Sequence, residues 1–249
     1  MPLDADQRLR RTRLLEAAVV FSFGVAPHLL GAFGWLFVFG ETEGGAPTSA
    51  GFEFEMLSHI VYSVGMIAAV LWIMRGAAES WADFGFRAPN VPVEIAVGVG
   101  LFLASYAAYY ALSMGVYGLS WIVDPAWLDW GAHAGGFETG AIATPAGTLA
   151  LPLILLLSLS NATAEQLVIV SYGLTRAVSL VGRRKVAAVV VIGLFSAYHA
   201  YQGAYGVVGA ASFGVLCATY FLRYRRIGPC IVAHVLGDAV PYGLAYLGV

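Results

Sequence analysis

Long apolar runs, separated by short polar segments, dominate the chain. Many of these runs reach about 20 residues, the length that a helical membrane span needs. The strict two-residue alternation of a membrane β-barrel is absent from them. We therefore predict an all-α, polytopic helical membrane protein with about seven transmembrane helices. The predicted spans are residues 14–39, 56–74, 93–122, 147–175, 186–202, 205–222 and 227–247.

The composition supports this prediction and excludes a soluble globule. Hydrophobic residues make up 59% of the chain, charged residues 11%, and the mean hydropathy is +0.78, whereas soluble proteins average about 25% charged residues. The net charge of −2 gives no reason to expect a nucleic-acid partner, so we expect membrane lipid instead. The two cysteines lack a CxxC spacing, which argues against a disulfide or zinc framework.

The thirteen basic residues fall in the N-terminal segment and in every second loop after it. They are Arg8, Arg10, Arg11 and Arg13; Arg75 and Arg87; Arg176, Arg183, Arg184 and Lys185; and Arg223, Arg225 and Arg226. By the positive-inside rule, this alternation predicts a cytoplasmic N-terminus and an external C-terminus, and an eight-span arrangement loses it. Residues 1–13 then form a basic cytoplasmic tail, and residues 14–249 form a single transmembrane domain. Short loops and a basic N-terminus are typical of a prokaryotic plasma membrane.

A few polar residues interrupt the apolar runs. They are Glu165 and Gln166 in the fourth span, His199 in the fifth, and His234 with Asp238 in the seventh. Ionisable groups are costly inside a bilayer, at about 2.5–3.5 kcal/mol each, and usually mark a functional site. At 1.5 Å per residue from the nearest basic cluster, Glu165, His199, His234 and Asp238 lie about 16, 21, 12 and 18 Å deep. These depths predict one polar layer near the middle of the membrane.

A carboxylate and an imidazole in such a layer can deprotonate a water molecule that attacks a carbonyl group. His234 and Asp238 are four residues apart, so they share one helix face. Asp238 can then orient the imidazole or help to stabilise a developing oxyanion. Glu165 and Gln166 point about 100° apart on a regular helix, so only one of them can face the centre of the layer.

Three sequence blocks resemble the CPBP family of intramembrane proteases, which includes CAAX prenyl proteases and bacteriocin-processing proteins. Phe195–His199 matches the family's Phe-x-x-x-His block, and His234–Asp238 matches its His-x-x-x-Asn/Asp block. The segment AESWADFGFRAPN, residues 78–90, resembles the family's Trp-x-x-x-Gly-[Leu/Phe]-Arg loop. The resemblance runs from about Ser80 to Val249, and the motif-bearing core is residues 147–249.

The resemblance implies specific roles for four residues. Glu165 and His199 would activate water, while His234 and Asp238 would stabilise the intermediate. The family's first block, Glu-Glu-x-x-x-Arg, departs from its pattern here, because Gln166 replaces the second Glu and Val170 replaces the Arg. The implied activity is that of a glutamic-type intramembrane endopeptidase that cleaves a membrane-associated peptide or protein and needs no cofactor. One branch of the family acts on prenylated CAAX peptides, and others act on peptide precursors or membrane proteins.

Other hypotheses remain open at this point. Gln166 and Val170 suit a non-enzymatic relative that acts as an immunity or scaffolding protein. Two histidines and two carboxylates can also ligate a divalent cation, although no HExxH motif is present. A transporter would need more polar groups along its pathway. Taken singly, Glu165 can also be a neutral acid that is hydrogen-bonded to Asn161, and His199 a packing residue beside Tyr198.

Overall fold

The computed structural model describes residues 4–30, 49–77, 79–120 and 149–247, and within these ranges the chain is helical with no strand. Several sequence predictions lie outside the described residues: the end of the first span at residues 31–39, the end of the third at 121–122, and most of the two polar loops that follow these spans. The all-α prediction is confirmed for the described residues.

Eight α-helices are described, together with one π-helix and one 3₁₀ turn. The α-helices are α1 (Ala5–Gly24), α2 (Ser49–Gly76), α3 (Val91–Ser120), α4 (Ala150–Glu165), α5 (Leu174–Val181), α6 (Arg184–Tyr198), α7 (Gly203–Tyr224) and α8 (Gly228–Leu247). The π-helix, Gln166–Gly173, joins α4 to α5, and the 3₁₀ turn, Ala200–Gln202, joins α6 to α7. Residues 26–30 are also helical.

Four helical segments of the described chain are long and apolar enough to cross a membrane. They are Met56–Gly76, Val91–Gly118, Ala150–Val181 and Gly203–Tyr224. These segments agree with the predicted second, third, fourth and sixth spans. Large apolar side chains such as Val61, Trp72 and Val189 are more than two-thirds exposed, which is expected where lipid, rather than water, covers the outer surface.

The predicted fifth span, residues 186–202, is interrupted in the structure. Helix α6 has 15 residues, or about 22 Å, against about 30 Å for the hydrocarbon core of a bilayer. It ends because the Nδ1 atom of His199 lies 2.7 Å from the carbonyl oxygen of Phe195, the oxygen to which the next α-helical N–H would donate. The backbone N–H of His199 donates to Ser196 instead, and His199 lies in a turn. This is the competition between side chain and backbone that ends helices.

The segment after α2, residues 79–87, folds against the end of the fourth span. The ring of Phe84 is fully buried and stacks on Tyr172, while the hydroxyl of Ser171 donates to the Phe84 carbonyl oxygen at 2.5 Å. Gly85 has a φ of +89°, and a Cβ there would lie 2.7 Å from the ring of Phe221. Both features require glycine at this position of the Trp-x-x-x-Gly-Phe-Arg motif.

Asp83 stabilises the turn in the same segment. Its carboxylate accepts hydrogen bonds from the side-chain hydroxyl and the backbone N–H of Ser80. These bonds lower the pKa of the Asp83 carboxyl, because they favour its charged form.

Arg176 is buried rather than exposed at the membrane edge as a topological charge. Its side chain is 2% exposed, and its two terminal nitrogens each lie 2.7 Å from a carboxylate oxygen, one of Glu16 and one of Glu79. Arg13 adds a second cation 2.7 Å from the same Glu79 oxygen. This ion cluster joins α1, the segment after α2, and α5. Helix α1 begins at Ala5, so the basic residues 8–13 lie on this helix.

Candidate functional site

Glu165 and Gln166 lie where α4 changes into a π-helix. Glu165 ends α4 and Gln166 begins the π-helical segment. The wider π turn places the carbonyl oxygen of Val168 only 2.6 Å from where a Cβ of Gly173 would be, so the segment depends on glycine there. Single π turns in α-helices often occur at functional sites.

Helix α8 packs against both α3 and α4, and two of its polar residues face Glu165. The Nε2 atom of His234 lies 3.6 Å from Oε2 of Glu165 and 3.6 Å from Oδ1 of Asp238. Two carboxylates from different helices therefore approach one imidazole nitrogen. The separation is slightly longer than a hydrogen bond, as is common for catalytic groups before substrate binds.

Two amide side chains on α4 and the π-helix hold the residues of α8. Gln166, which is 1% exposed, places its Nε2 atom 3.0 Å from Nδ1 of His234. Asn161 donates from Nδ2 to Oδ2 of Asp238 at 3.1 Å. The sequence also allows Asn161 to pair with Glu165, one turn further along. The structure pairs it with Asp238 instead, because Asp238 faces that turn of α4.

His199 reaches the same region through Phe195. The Phe195 ring lies 4.8 Å from the His199 ring and 6.3 Å from the His234 ring, measured between centroids. Since a carbonyl oxygen only accepts hydrogen bonds, the contact with Phe195 O fixes the proton of a neutral His199 on Nδ1. Its Nε2 atom is then an acceptor, as a general base requires. The ring of Phe195 thus lies beside both histidine rings.

Two further residues beside Glu165 were not predicted as part of the site. Tyr198, whose ring stacks on His199 at 4.5 Å, is a hydrogen-bonding neighbour of the Glu165 carboxyl. His28, from the helical turn after α1, packs 5.4 Å from the Tyr198 ring and 5.7 Å from that of Tyr62. His28 interacts electrostatically with Glu165. The only sequence signal for His28 is a polar residue in an apolar run, which does not indicate what it contacts.

Val170 is packed among apolar side chains, at 3% exposure. The cavity beside it has about 10 Å³ and is lined also by Gln166, Ile169 and Phe195. This volume holds about one water molecule. The core is therefore packed around valine at this position, and it has no space for the guanidinium of the family's arginine.

The acidic groups of the cluster are partly accessible. The side chains of Glu165 and Asp238 are 17% and 23% exposed, against 10% for that of His234. Oε2 of Glu165 is buried without a hydrogen-bond partner, as is Oε1 of Gln166. In the described ranges, no group of three or more His, Cys, Asp or Glu side chains is arranged to hold a metal ion.

Fold and cluster together define a helical integral membrane protein with an acid–histidine site between α4 and α8. Residues 147–240 match the family model described as "Type II CAAX prenyl endopeptidase Rce1-like". The match confirms the resemblance to the CPBP proteases, and the matched segment contains all four predicted site residues: Glu165, His199, His234 and Asp238. The matched family is a protease family, which supports a peptidase.

No curated protein and no solved structure matches the chain significantly.

Proposed function

We propose that the protein is a glutamic-type intramembrane endopeptidase, in which Glu165 and His199 activate a water molecule. The observation that carries this proposal is the approach of Glu165 and Asp238 to the same nitrogen of His234, with His199 beside them across Phe195. This arrangement gathers acids and imidazoles from distant parts of the chain into one cluster.

The reaction follows from the roles of these groups. Glu165, assisted by the Nε2 acceptor of His199, takes a proton from water as its oxygen attacks the scissile carbonyl carbon. His234, positioned beside Asp238, stabilises the oxyanion of the tetrahedral intermediate. Collapse of this intermediate breaks the C–N bond, and the proton held by Glu165 passes to the leaving amine. The products are a carboxylate and an amine, and no cofactor takes part.

The membrane arrangement proposed with this function has seven spans and a cytoplasmic N-terminus. Its support is the alternation of basic loops. With that orientation, the ion cluster of Arg176 lies near the cytoplasmic surface. We further propose a prokaryotic plasma membrane as the location, on the basis of the short loops and the basic N-terminus.

The proposed substrate is a peptide or protein that is itself associated with the membrane. A site within apolar helices favours a chain that partitions into lipid, and the matched family description names a CAAX prenyl endopeptidase. Two peptides, tethered to lipid vesicles, distinguish these substrates: one carries a prenyl group and the other does not. Cleavage of only the prenylated peptide indicates a CAAX-type substrate, and cleavage of both indicates a general membrane-anchored one.

The experiment that tests the proposal measures cleavage of these peptides by the full-length protein in lipid vesicles. Glu165→Ala and His199→Ala should each abolish cleavage while the protein retains its helical circular dichroism spectrum. Ser196→Ala is the matched control on α6, because the Ser196 hydroxyl bonds only to the Ile192 carbonyl of its own helix. Its rate should stay within about twofold of wild type. Undiminished cleavage by either site variant would overturn the proposal.

A second candidate function is a non-enzymatic immunity or scaffolding role. The observation that favours it is the apolar packing of Val170, which leaves the first family block without its arginine. Gln166→Glu restores half of that block without requiring new volume, whereas Val170→Arg would need the core to repack. If neither the wild type nor Gln166→Glu cleaves any tethered peptide, the non-enzymatic role is favoured over the peptidase.

A further inference from the structure

Gln166 occupies the position of the family's second glutamate, and its contact with His234 determines which ring nitrogen of His234 carries the proton. Its Nε2 atom lies 3.0 Å from Nδ1 of His234 in a buried location. An amide nitrogen only donates hydrogen bonds, so Nδ1 must accept and carries no proton. We infer that Gln166 is a positioning residue that holds neutral His234 with its proton on Nε2. This inference rests on the proposed function and assigns the role of His234 within it.

The buried surroundings of Gln166 favour this orientation of its amide. Its Oε1 atom is buried and has no hydrogen-bond partner. If the amide were flipped by 180°, its NH₂ group, with two donors, would occupy the buried position of Oε1 and would have no acceptor there. Orphaned buried N–H groups are rarer in proteins than under-satisfied carbonyl oxygens. The orientation with N–H toward His234 therefore leaves the less costly group unpaired.

The two carboxylates on the other side of the ring support the same tautomer independently. Glu165 Oε2 and Asp238 Oδ1 both lie 3.6 Å from Nε2. An N–H group there points its positive end toward two acceptors, whereas a bare nitrogen would direct a lone pair at them. An ionised glutamate at position 166 could only accept a hydrogen bond, so Nδ1 would have to carry the proton and donate. Gln166 thus makes Nδ1 of His234 a hydrogen-bond acceptor, whereas the family's glutamate would make it a donor.

This assignment separates the roles of the two histidines. His199 carries its proton on Nδ1 and accepts through Nε2, whereas His234 donates through Nε2. His199 is therefore suited to receive a proton from water, and His234 is suited to donate to an oxyanion or to Glu165. In this chain His234 does not act as a base.

Nitrogen NMR of the intact protein tests the inference, since protonated and unprotonated imidazole nitrogens have well-separated shifts. The protein is labelled with ¹⁵N-histidine, placed in lipid nanodiscs and measured above the pH at which histidine is charged. His234→Asn identifies the signals of His234 among those of the five histidines. Wild-type His234 should show an unprotonated Nδ1 and a protonated Nε2. A proton on Nδ1 in the wild type would overturn the inference outright.

Gln166→Met tests whether Gln166 is the donor, because methionine keeps the length of the side chain and removes its amide. The Nδ1 signal of His234 should move in this variant. Leu167→Met is the matched control: Leu167 is the next residue, is equally buried, and has no polar atom to lose. It should leave the His234 signals in place. An Nδ1 shift that is the same in wild type and Gln166→Met contradicts the inference.

Cleavage kinetics connect the tautomer to the reaction. Gln166→Met should lower kcat about tenfold with little change in KM, as expected for one lost hydrogen bond that acts in the transition state, and Leu167→Met should stay within about twofold. A wild-type kcat in Gln166→Met would show that the contact does not serve catalysis. If no form of the protein cleaves, the proposed function fails, but the NMR result still decides the hydrogen bond.

Discussion

At the scale of the single residue, the site depends on polar side chains that hold one another in place. Asn161 donates a hydrogen bond to Oδ2 of Asp238, and this contact fixes the carboxylate with Oδ1 facing His234. The sequence could predict Glu165, His199, His234 and Asp238, because an ionisable group in an apolar run is conspicuous. It could not predict that Asn161 pairs with Asp238 and Gln166 with His234, because that choice depends on how α4 rotates against α8.

Replacing Asn161 by leucine should lower kcat, because the partly buried carboxylate of Asp238 loses its hydrogen-bond donor. Hydrogen bonds to charged groups contribute about 1.5–3 kcal/mol, so we expect kcat to fall at least about tenfold. Steady-state cleavage of a vesicle-tethered peptide measures this change. Thr163→Val is the control on the same helix, since the Thr163 hydroxyl bonds only to Leu159 O; its kcat should change little.

The same contact can be tested through Asp238. In an Asp238→Ala background, Asn161→Leu should cause no further loss of kcat, because its partner is already absent. A full additional loss would mean that Asn161 acts elsewhere, and the positioning of Asp238 would need another explanation.

At the scale of the element, hydropathy predicted where the second, third, fourth and sixth spans lie, but not how they deviate from regular helices. The π-helix from Gln166 to Gly173 lies in a mostly apolar stretch, where no periodic pattern marks a change in hydrogen-bond register. The end of α6 at Tyr198 depends on one contact, from His199 to a carbonyl oxygen. Such deviations are set by single contacts, which composition and periodicity do not reveal.

Gly173→Ala should destabilise the π-helix, because the added Cβ would lie 2.6 Å from Val168 O. Overpacking of this kind costs about 1–3 kcal/mol, and the midpoint of thermal unfolding in detergent should fall by several degrees. Gly193→Ala on α6 is the control, since nothing lies within 4 Å of its added Cβ. Alanine favours helix there by about 0.5–1 kcal/mol, so this midpoint should stay or rise. Equal midpoints for the two variants would contradict the assigned role of Gly173.

At the scale of the whole molecule, one ion cluster joins α1 and the segment after α2 to α5, which follows the π-helix that begins next to Glu165. Arg176 neutralises Glu16 and Glu79 where all three are largely buried. The sequence indicated only that Arg176 belongs to a basic segment at the membrane edge. Its two acidic partners lie far away in the chain, and their approach follows from the packing of α1 and the segment after α2 against α5.

Arg176→Met should destabilise the protein by about 3 kcal/mol, because Glu16 loses its ion-pair partner and Glu79 keeps only Arg13. The midpoint of thermal unfolding in detergent measures the loss. Adding Glu16→Met to Arg176→Met should recover part of it, since Glu16 is the carboxylate that Arg176→Met leaves without its ion-pair partner. The control, Arg183→Met, replaces an exposed arginine and should change the midpoint little. If the double variant is no more stable than Arg176→Met, the cluster does not act through charge pairing.

The central claim is that Glu165 and His234, from helices far apart in sequence, act as one catalytic unit. It is tested most directly by single-turnover cleavage of a vesicle-tethered peptide by Glu165→Ala, His234→Ala and the double variant. Groups that act as a unit lose nearly all their effect when any one of them is removed. We predict that each single variant loses at least about a thousandfold in rate and that the double variant is no slower. A wild-type cleavage rate in either single variant would contradict the account. So would a double variant whose rate falls by the product of the two single losses.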